Sequence, residues 1–209
     1  MPTLDKKRMA TLERTKMLTT LSILTALSIV LMLFIRFPIF PAAVYLEYEP
    51  MDIPILIAGF AYGPAAGLTV ALVSCLIQGF TVSFAIGGWV GVLMHFIASG
   101  TLVTVASLIY RKKSDVVGII IGLVSGVIAM TAIMVPANMI ITPAFYGVPL
   151  DLVMPLIIPI IVPFNLIKAG VNAAVAFALF EPLRLYLFKR TLTKRMKTDE
   201  VQKVEEKND

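Results

Sequence analysis

One cysteine and one histidine leave this chain of 209 residues few routes to covalent or metal chemistry. The lone Cys75 excludes an intramolecular disulfide, and the lone His95 excludes an HExxH or multi-histidine metal site. No GxxxxGK[ST] loop is present, which excludes ATP hydrolysis by the P-loop route, and no serine sits in a GxSxG elbow. Charge is scarce too. Only 15% of residues are charged, where a soluble domain carries about 25%. Apolar residues make up 58% of the chain and mean hydropathy is +0.91, which is the composition of an integral membrane protein.

Apolar runs long enough to cross a hydrocarbon core recur along the sequence, and the expected fold is an all-α bundle of six transmembrane helices. The spans fall at about 17–35, 53–62, 64–78, 89–110, 116–141 and 159–180. The second is too short to cross by itself, so the loop before it must supply depth. Tyr62, Gly63 and Pro64 separate it from the third span, and Gly-Pro at that point predicts a tight helical hairpin. Residues 1–16 form a basic N-terminal segment, 17–188 the membrane domain, and 189–209 a charged tail read as disordered and solvated. The first apolar run is too long for a signal peptide and lacks a small-residue cleavage site, so it is a retained span.

Lys and Arg cluster before span one, at Arg111 to Lys113, and after span six. With six spans these clusters share one side, which the positive-inside rule makes cytoplasmic, so both termini are expected inside the cell membrane. The opposite loops carry Glu47, Glu49, Asp52 and Asp151, with Arg36 at their rim. Three features stand out on that outer side. Residues 37–52 hold three prolines, two tyrosines and two glutamates, and 44–49 alternate as an extended piece would. Tyr45 and Tyr48 there suit either interfacial anchoring or stacking on a ligand. Phe84, Gly87, Gly88 and Trp89 again set aromatics beside flexible backbone, and 142–158 is read as an irregular loop with Phe145, Tyr146 and several prolines. Asp52 is placed to cap the short second helix.

Polar residues at membrane depth carry the functional reading. Lys168 lies in a strongly apolar segment, where an ammonium costs at least about 2.5 to 3.5 kcal/mol. Asn165 and Asn172 stand three residues before it and four after it, and helical geometry brings the three within roughly 60°. Asn138 follows Pro136, which should kink its helix and open room. His95 lies about two turns into span four, where a hydrogen-bonded core role competes with a ligand contact. No carboxylate is found within the spans at that depth, so the partner expected for Lys168 is amide, backbone carbonyl, water or a bound molecule. On that footing, removing the ammonium would leave the fold as stable or more so. Without a carboxylate to orient His95, catalysis is not expected. A lysine among amides below an aromatic rim instead suits holding a polyhydroxylated or heteroaromatic molecule by hydrogen bonds.

The loop FPAAVYLEYEPMDIPILIAGFAYGP and the segments WVGVLMHFIAS, NMIITPAFYG and PFNLIKAGVNAA resemble the riboflavin-binding (RibU-type) S components of energy-coupling factor (ECF) vitamin transporters. The resemblance covers about residues 17–187. It implies an S-component bundle that is no enzyme, carries riboflavin as transported ligand rather than cofactor, and works with a transmembrane coupling subunit and partner ATPases. It also implies polar ligand contacts from Asn138, Asn165 and Lys168 beneath a first loop containing Tyr45. Small residues on the first helix would dock the coupling subunit, and the nearest equivalents here are Ser22 and Ala26. A flavin nucleotide, pantothenate or a pyrimidine precursor would fit the same fold. A lipid-modifying enzyme lacks its carboxylates or metal, and a channel would be blocked to cations by Lys168.

Overall fold

The computed structural model describes residues 2–43, 46–81 and 88–205. Helix α1 runs Pro2–Phe34, α2 Asp52–Tyr62, α3 Pro64–Thr81, α4 Gly88–Lys112, α5 Val116–Tyr146, α6 Leu150–Leu156 and α7 Val162–Glu205. A π-helical turn, Ile157–Ile161, joins α6 to α7. Among the described residues five stretches are long and apolar enough to cross a membrane, Thr11–Phe34, Pro64–Thr81, Gly88–Lys112, Val116–Tyr146 and Leu150–Leu185, and the 11-residue α2 is a short additional segment. Residues Met1–Ala176 form one compact unit and Phe177–Asp209 a second. In the second unit Arg184 pairs through two nitrogens with Glu181, at 2.9 Å each.

The hairpin between α2 and α3 forms as its sequence requires. Gly63 takes a left-handed φ of 98° and its N–H closes on the Gly59 carbonyl at 2.8 Å, after which Pro64 starts α3 without needing a donor. Small residues also set how closely α4 and α5 approach. A Cβ on Gly122 would stand 2.6 Å from the Ala106 carbonyl oxygen, and one on Gly126 would stand 2.9 Å from that of Leu102. Lipid offers no hydrophobic drive to hold helices together, so this backbone approach is where their packing comes from. Gly122→Val should therefore destabilise the protein in detergent by about 1 to 3 kcal/mol, the usual cost of overpacking. Gly170→Ala, with nothing within 4 Å of its added carbon inside α7, should not lower the unfolding temperature and should raise it slightly.

Two expectations need correction here. Residues 142–158 are not an irregular loop: α5 continues to Tyr146, Gly147 ends it with φ 64°, and α6 begins three residues later. Prolines at 155, 159 and 163 each lack an N–H, and the backbone accommodates them by shifting to a π turn in which the Val162 N–H reaches the Ile157 carbonyl. Val153, Ile157 and Ile161 then pack against Val135 and Met139 of α5. The tail is not irregular either, since α7 runs to Glu205. Its Lys, Glu, Arg, Leu and Met residues are good helix formers, and beyond Pro182 nothing in the sequence stops the helix.

The segment between α1 and α2 folds back on itself. Strand β1 (Phe37–Pro38) pairs antiparallel with β2 (Glu47–Tyr48), and the rings of Phe37 and Tyr48 lie 5.3 Å apart. Arg36 donates from Nε to Glu47 across the same closure. Ser28 on α1 donates to the Met51 carbonyl at 3.0 Å, fixing the end of the segment at the start of α2.

Candidate functional site

A cavity of about 580 Å³ lies inside the first unit. Met94 and Ala98 of α4, Met130 and Met134 of α5, Val153 and Leu156 of α6, and Phe164 of α7 give it apolar walls. Its polar lining comes from Arg36, Glu49, Gln78, His95, Asn138, Thr142, Tyr146, Asn165 and Lys168. Polar groups converging between apolar walls are the usual form of a small-molecule site.

Lys168 has an anion after all. Its Nζ lies 3.1 Å from Oε1 of Glu49, and Nδ1 of His95 lies 3.0 Å from the same oxygen. All three side chains are more than nine-tenths buried. Reading carboxylates only within the spans missed the acid because it comes from the preceding loop, which descends to meet the lysine. The same contact supplies the carboxylate for His95 that the sequence seemed to lack. Burial alone would raise the Glu49 carboxyl, but the Lys168 ammonium, and after it His95, outweigh burial and hold it well below the ordinary carboxylate range. Glu49 is therefore an anion in the folded protein.

Asp52 does not cap α2. It is the first helical residue, and its fully buried carboxylate accepts from the Ser99 hydroxyl and, at 3.1 Å, from Asn172 Nδ2. Nε2 of His95 is 3.9 Å from Asp52 Oδ1, too far for a hydrogen bond.

Asn172 shares the polar face of α7 but does not line the cavity. It is fully buried, donates to the Glu49 carbonyl at 3.2 Å as well as to Asp52, and accepts from the Tyr48 hydroxyl at 3.0 Å. It joins the loop, the start of α2 and α7 in one network. Asn138 and Asn165 do line the cavity. Each donates from Nδ2 to the carbonyl four residues earlier, Met134 and Ile161, at 2.8 Å. Trp89 lies outside the lining, half exposed, with its ring edge-on to Phe80 at 4.9 Å. Tyr45, Phe84 and Gly87 lie outside the described residues. Cys75 is buried. On α1, Ser22 and Ala26 are exposed, and the Ser22 hydroxyl donates to the Leu18 carbonyl at 3.0 Å.

The sequence reading passed over Glu49, Asp52 and Gln78 as site residues. The available signal was charge: a buried lysine calls for an anion, and the acidic loop 47–52 was the nearest supply on the outer side.

Comparison with known proteins places this arrangement. A family model described as ECF transporter, substrate-specific component, matches residues 16–180. The chain is 33% identical over 190 residues to the riboflavin transporter RibU of Staphylococcus aureus (strain TCH60), covering 88% of this chain and 98% of that protein. It is 30% identical over 173 residues to the riboflavin transporter FmnP of Bacillus subtilis (strain 168), covering 79% and 90%. Among solved structures, the S component of a bacterial ECF transporter superposes with a TM-score of 0.72 at 34% identity, over 83% of this chain and 98% of that one. The S component for biotin from an ECF-type ABC transporter superposes at 0.57 and 18% identity, over 80% and 92%, a likeness of fold alone.

Proposed function

This chain belongs to the substrate-specific components of ECF transporters, and from that premise we propose that it captures riboflavin in the cavity beneath the loop between α1 and α2. It is a multi-pass membrane protein and a transport component, not an enzyme. The observation that carries the riboflavin reading is the composition of the cavity: an apolar enclosure of about 580 Å³ suits a flat ring system, and its polar lining suits a ligand with many hydrogen-bonding groups. Lys168 donates, the side-chain amides of Asn138 and Asn165 hydrogen-bond, and His95 holds the Glu49 carboxylate beside them. The described part of the loop between α1 and α2 covers the ligand. Protein purified from cells grown with riboflavin should be yellow, with a flavin absorption band. A colourless preparation that also takes up no added riboflavin would contradict the reading.

Delivery inward requires partners, because the chain has no P-loop to hydrolyse ATP. The transmembrane coupling subunit docks on α1 at Ser22 and Ala26, whose small exposed side chains allow a partner helix to approach closely. The ATPase subunits act through it. Ala26→Trp should reduce uptake in cells containing the coupling subunit and ATPases, while binding by the purified protein stays at the unaltered level. Normal uptake would place the docking surface elsewhere.

Both termini and Arg111 to Lys113 face the cytoplasm, and Glu47 and Asp151 face outward. With Cys75 replaced, a cysteine at position 112 should resist an impermeant thiol reagent in intact cells and react after lysis. Reaction in intact cells would reverse the orientation.

A further inference from the structure

His95, on α4, is the one histidine of the chain, and it stands between carboxylates from two different elements. Its Nδ1 lies 3.0 Å from Oε1 of Glu49, carried by the loop between α1 and α2, and its Nε2 lies 3.9 Å from Oδ1 of Asp52, the first residue of α2. Nε2 is buried and has no hydrogen-bond partner among the described residues. With the imidazole neutral and Nδ1 donating to Glu49, Nε2 turns a lone pair toward the Asp52 carboxylate. A proton on Nε2 replaces that repulsion between two acceptors with attraction between opposite charges. Net charge favours the same proton: Glu49, Asp52 and Lys168 sum to one negative charge, which an imidazolium cancels. Tyr48 of the loop, Cys75 of α3 and Tyr146 of α5 are uncharged at neutral pH, and Arg36 is bound to Glu47. Gln78, whose Nε2 is 3.4 Å from both Glu49 oxygens, and Ser99 and Asn172, which donate to Asp52, do not titrate.

We propose that His95 is a proton site coupled to the loop: closure over the cavity takes up a proton from solvent at Nε2, so a ligand beneath the loop is held more tightly in acid and released faster as pH rises. The ligand here is riboflavin, and the coupling rests on that reading. Glu49 moves with the loop, whereas His95, Asp52 and Lys168 are fixed on helices. Lifting the loop takes from His95 the carboxylate it touches and leaves the Lys168 ammonium nearby, so the imidazole returns its proton to solvent. Linkage is reciprocal: if closure favours the proton, the proton favours closure by the same free energy.

Heats of riboflavin binding to purified, ligand-free protein, measured in two buffers of different ionisation enthalpy, count the protons taken up. Unaltered protein should take up part of one proton per riboflavin, and its affinity should fall by about three- to tenfold between about pH 6 and about pH 8, where riboflavin itself does not titrate. His95→Gln keeps a donor for Glu49 without a titratable group, so its heats should be independent of buffer and its pH profile flat. Buffer-independent heats in the unaltered protein, or proton uptake that persists in His95→Gln, overturn the assignment, the second by moving the proton to Lys168. If His95→Gln does not fold, nitrogen NMR of histidine-labelled protein, purified without a histidine tag, reports on this single ring. With riboflavin bound at neutral pH it should be an imidazolium, and a neutral ring there overturns the proposal. Failure of the unaltered protein to bind riboflavin at all would instead overturn the reading on which the coupling rests.

Discussion

Lys168→Met should lose both riboflavin affinity and stability, and the stability loss separates the structure's account from the sequence's. With no anion in view, replacing an intramembrane ammonium by an apolar chain of similar length relieves a desolvation cost. Glu49 reverses that sign. Its carboxylate is buried against Lys168 at 3.1 Å, and removing one partner of a buried pair costs about 3 to 5 kcal/mol because the remaining charge is uncompensated. His95, still 3.0 Å from the same oxygen, offsets part of that. Adding Glu49→Gln to Lys168→Met should recover much of the stability without recovering affinity, a non-additivity that thermal unfolding in detergent would read directly. A Lys168→Met protein as stable as the original would show that the pair carries little.

Asn172→Ala should weaken riboflavin binding although Asn172 does not line the cavity. Three hydrogen bonds end on this fully buried side chain, from Tyr48 and to Glu49 and Asp52. Truncation leaves the Asp52 carboxylate with Ser99 but without its Asn172 donor on one side, and releases the two loop residues that precede Pro50 on the other. Leaving buried polar groups unsatisfied costs about 1 to 3 kcal/mol each, and more for a charged one. The loop that carries Glu49 then loses one of its anchors, so the affinity change should appear chiefly as faster release of ligand. Stopped-flow dissociation measures it. Release at the unaltered rate would mean that the loop's other ties, the β1–β2 pairing, Ser28 to Met51 and the ion pairs of Glu47 and Glu49, suffice to hold it.

The helical segments and the α2–α3 hairpin were readable in the sequence because a bilayer demands continuous apolar runs, and Gly63-Pro64 permits only a sharp turn there. The residues that line the cavity were partly readable. Asn138, Asn165, Lys168 and His95 are polar where polar residues are rare, and that scarcity marks them. Asn172 shows the limit of a helical wheel: it shares the azimuth of Asn165 but sits about 10 Å further along the axis, beneath the loop rather than at the cavity. The Lys168–Glu49 contact was signalled by charge but not by spacing. Its partners are 119 residues apart, and no periodicity links a loop glutamate to a helix seven elements of backbone away. The region around Pro155, Pro159 and Pro163 was misread because proline is read as a breaker, whereas a π turn can carry the missing donors within a continuous helical path.

One riboflavin per chain should occupy the cavity against Lys168 and beneath the Glu49 loop. Titrating purified, ligand-free protein with riboflavin while following fluorescence quenching tests it, with Lys168→Met carried alongside in the Glu49→Gln background to keep the fold intact. The account predicts one saturable site per chain, weakened by about 1 to 3 kcal/mol in the double variant. Saturable binding of equal strength in both proteins would place the ligand away from Lys168 and contradict the account.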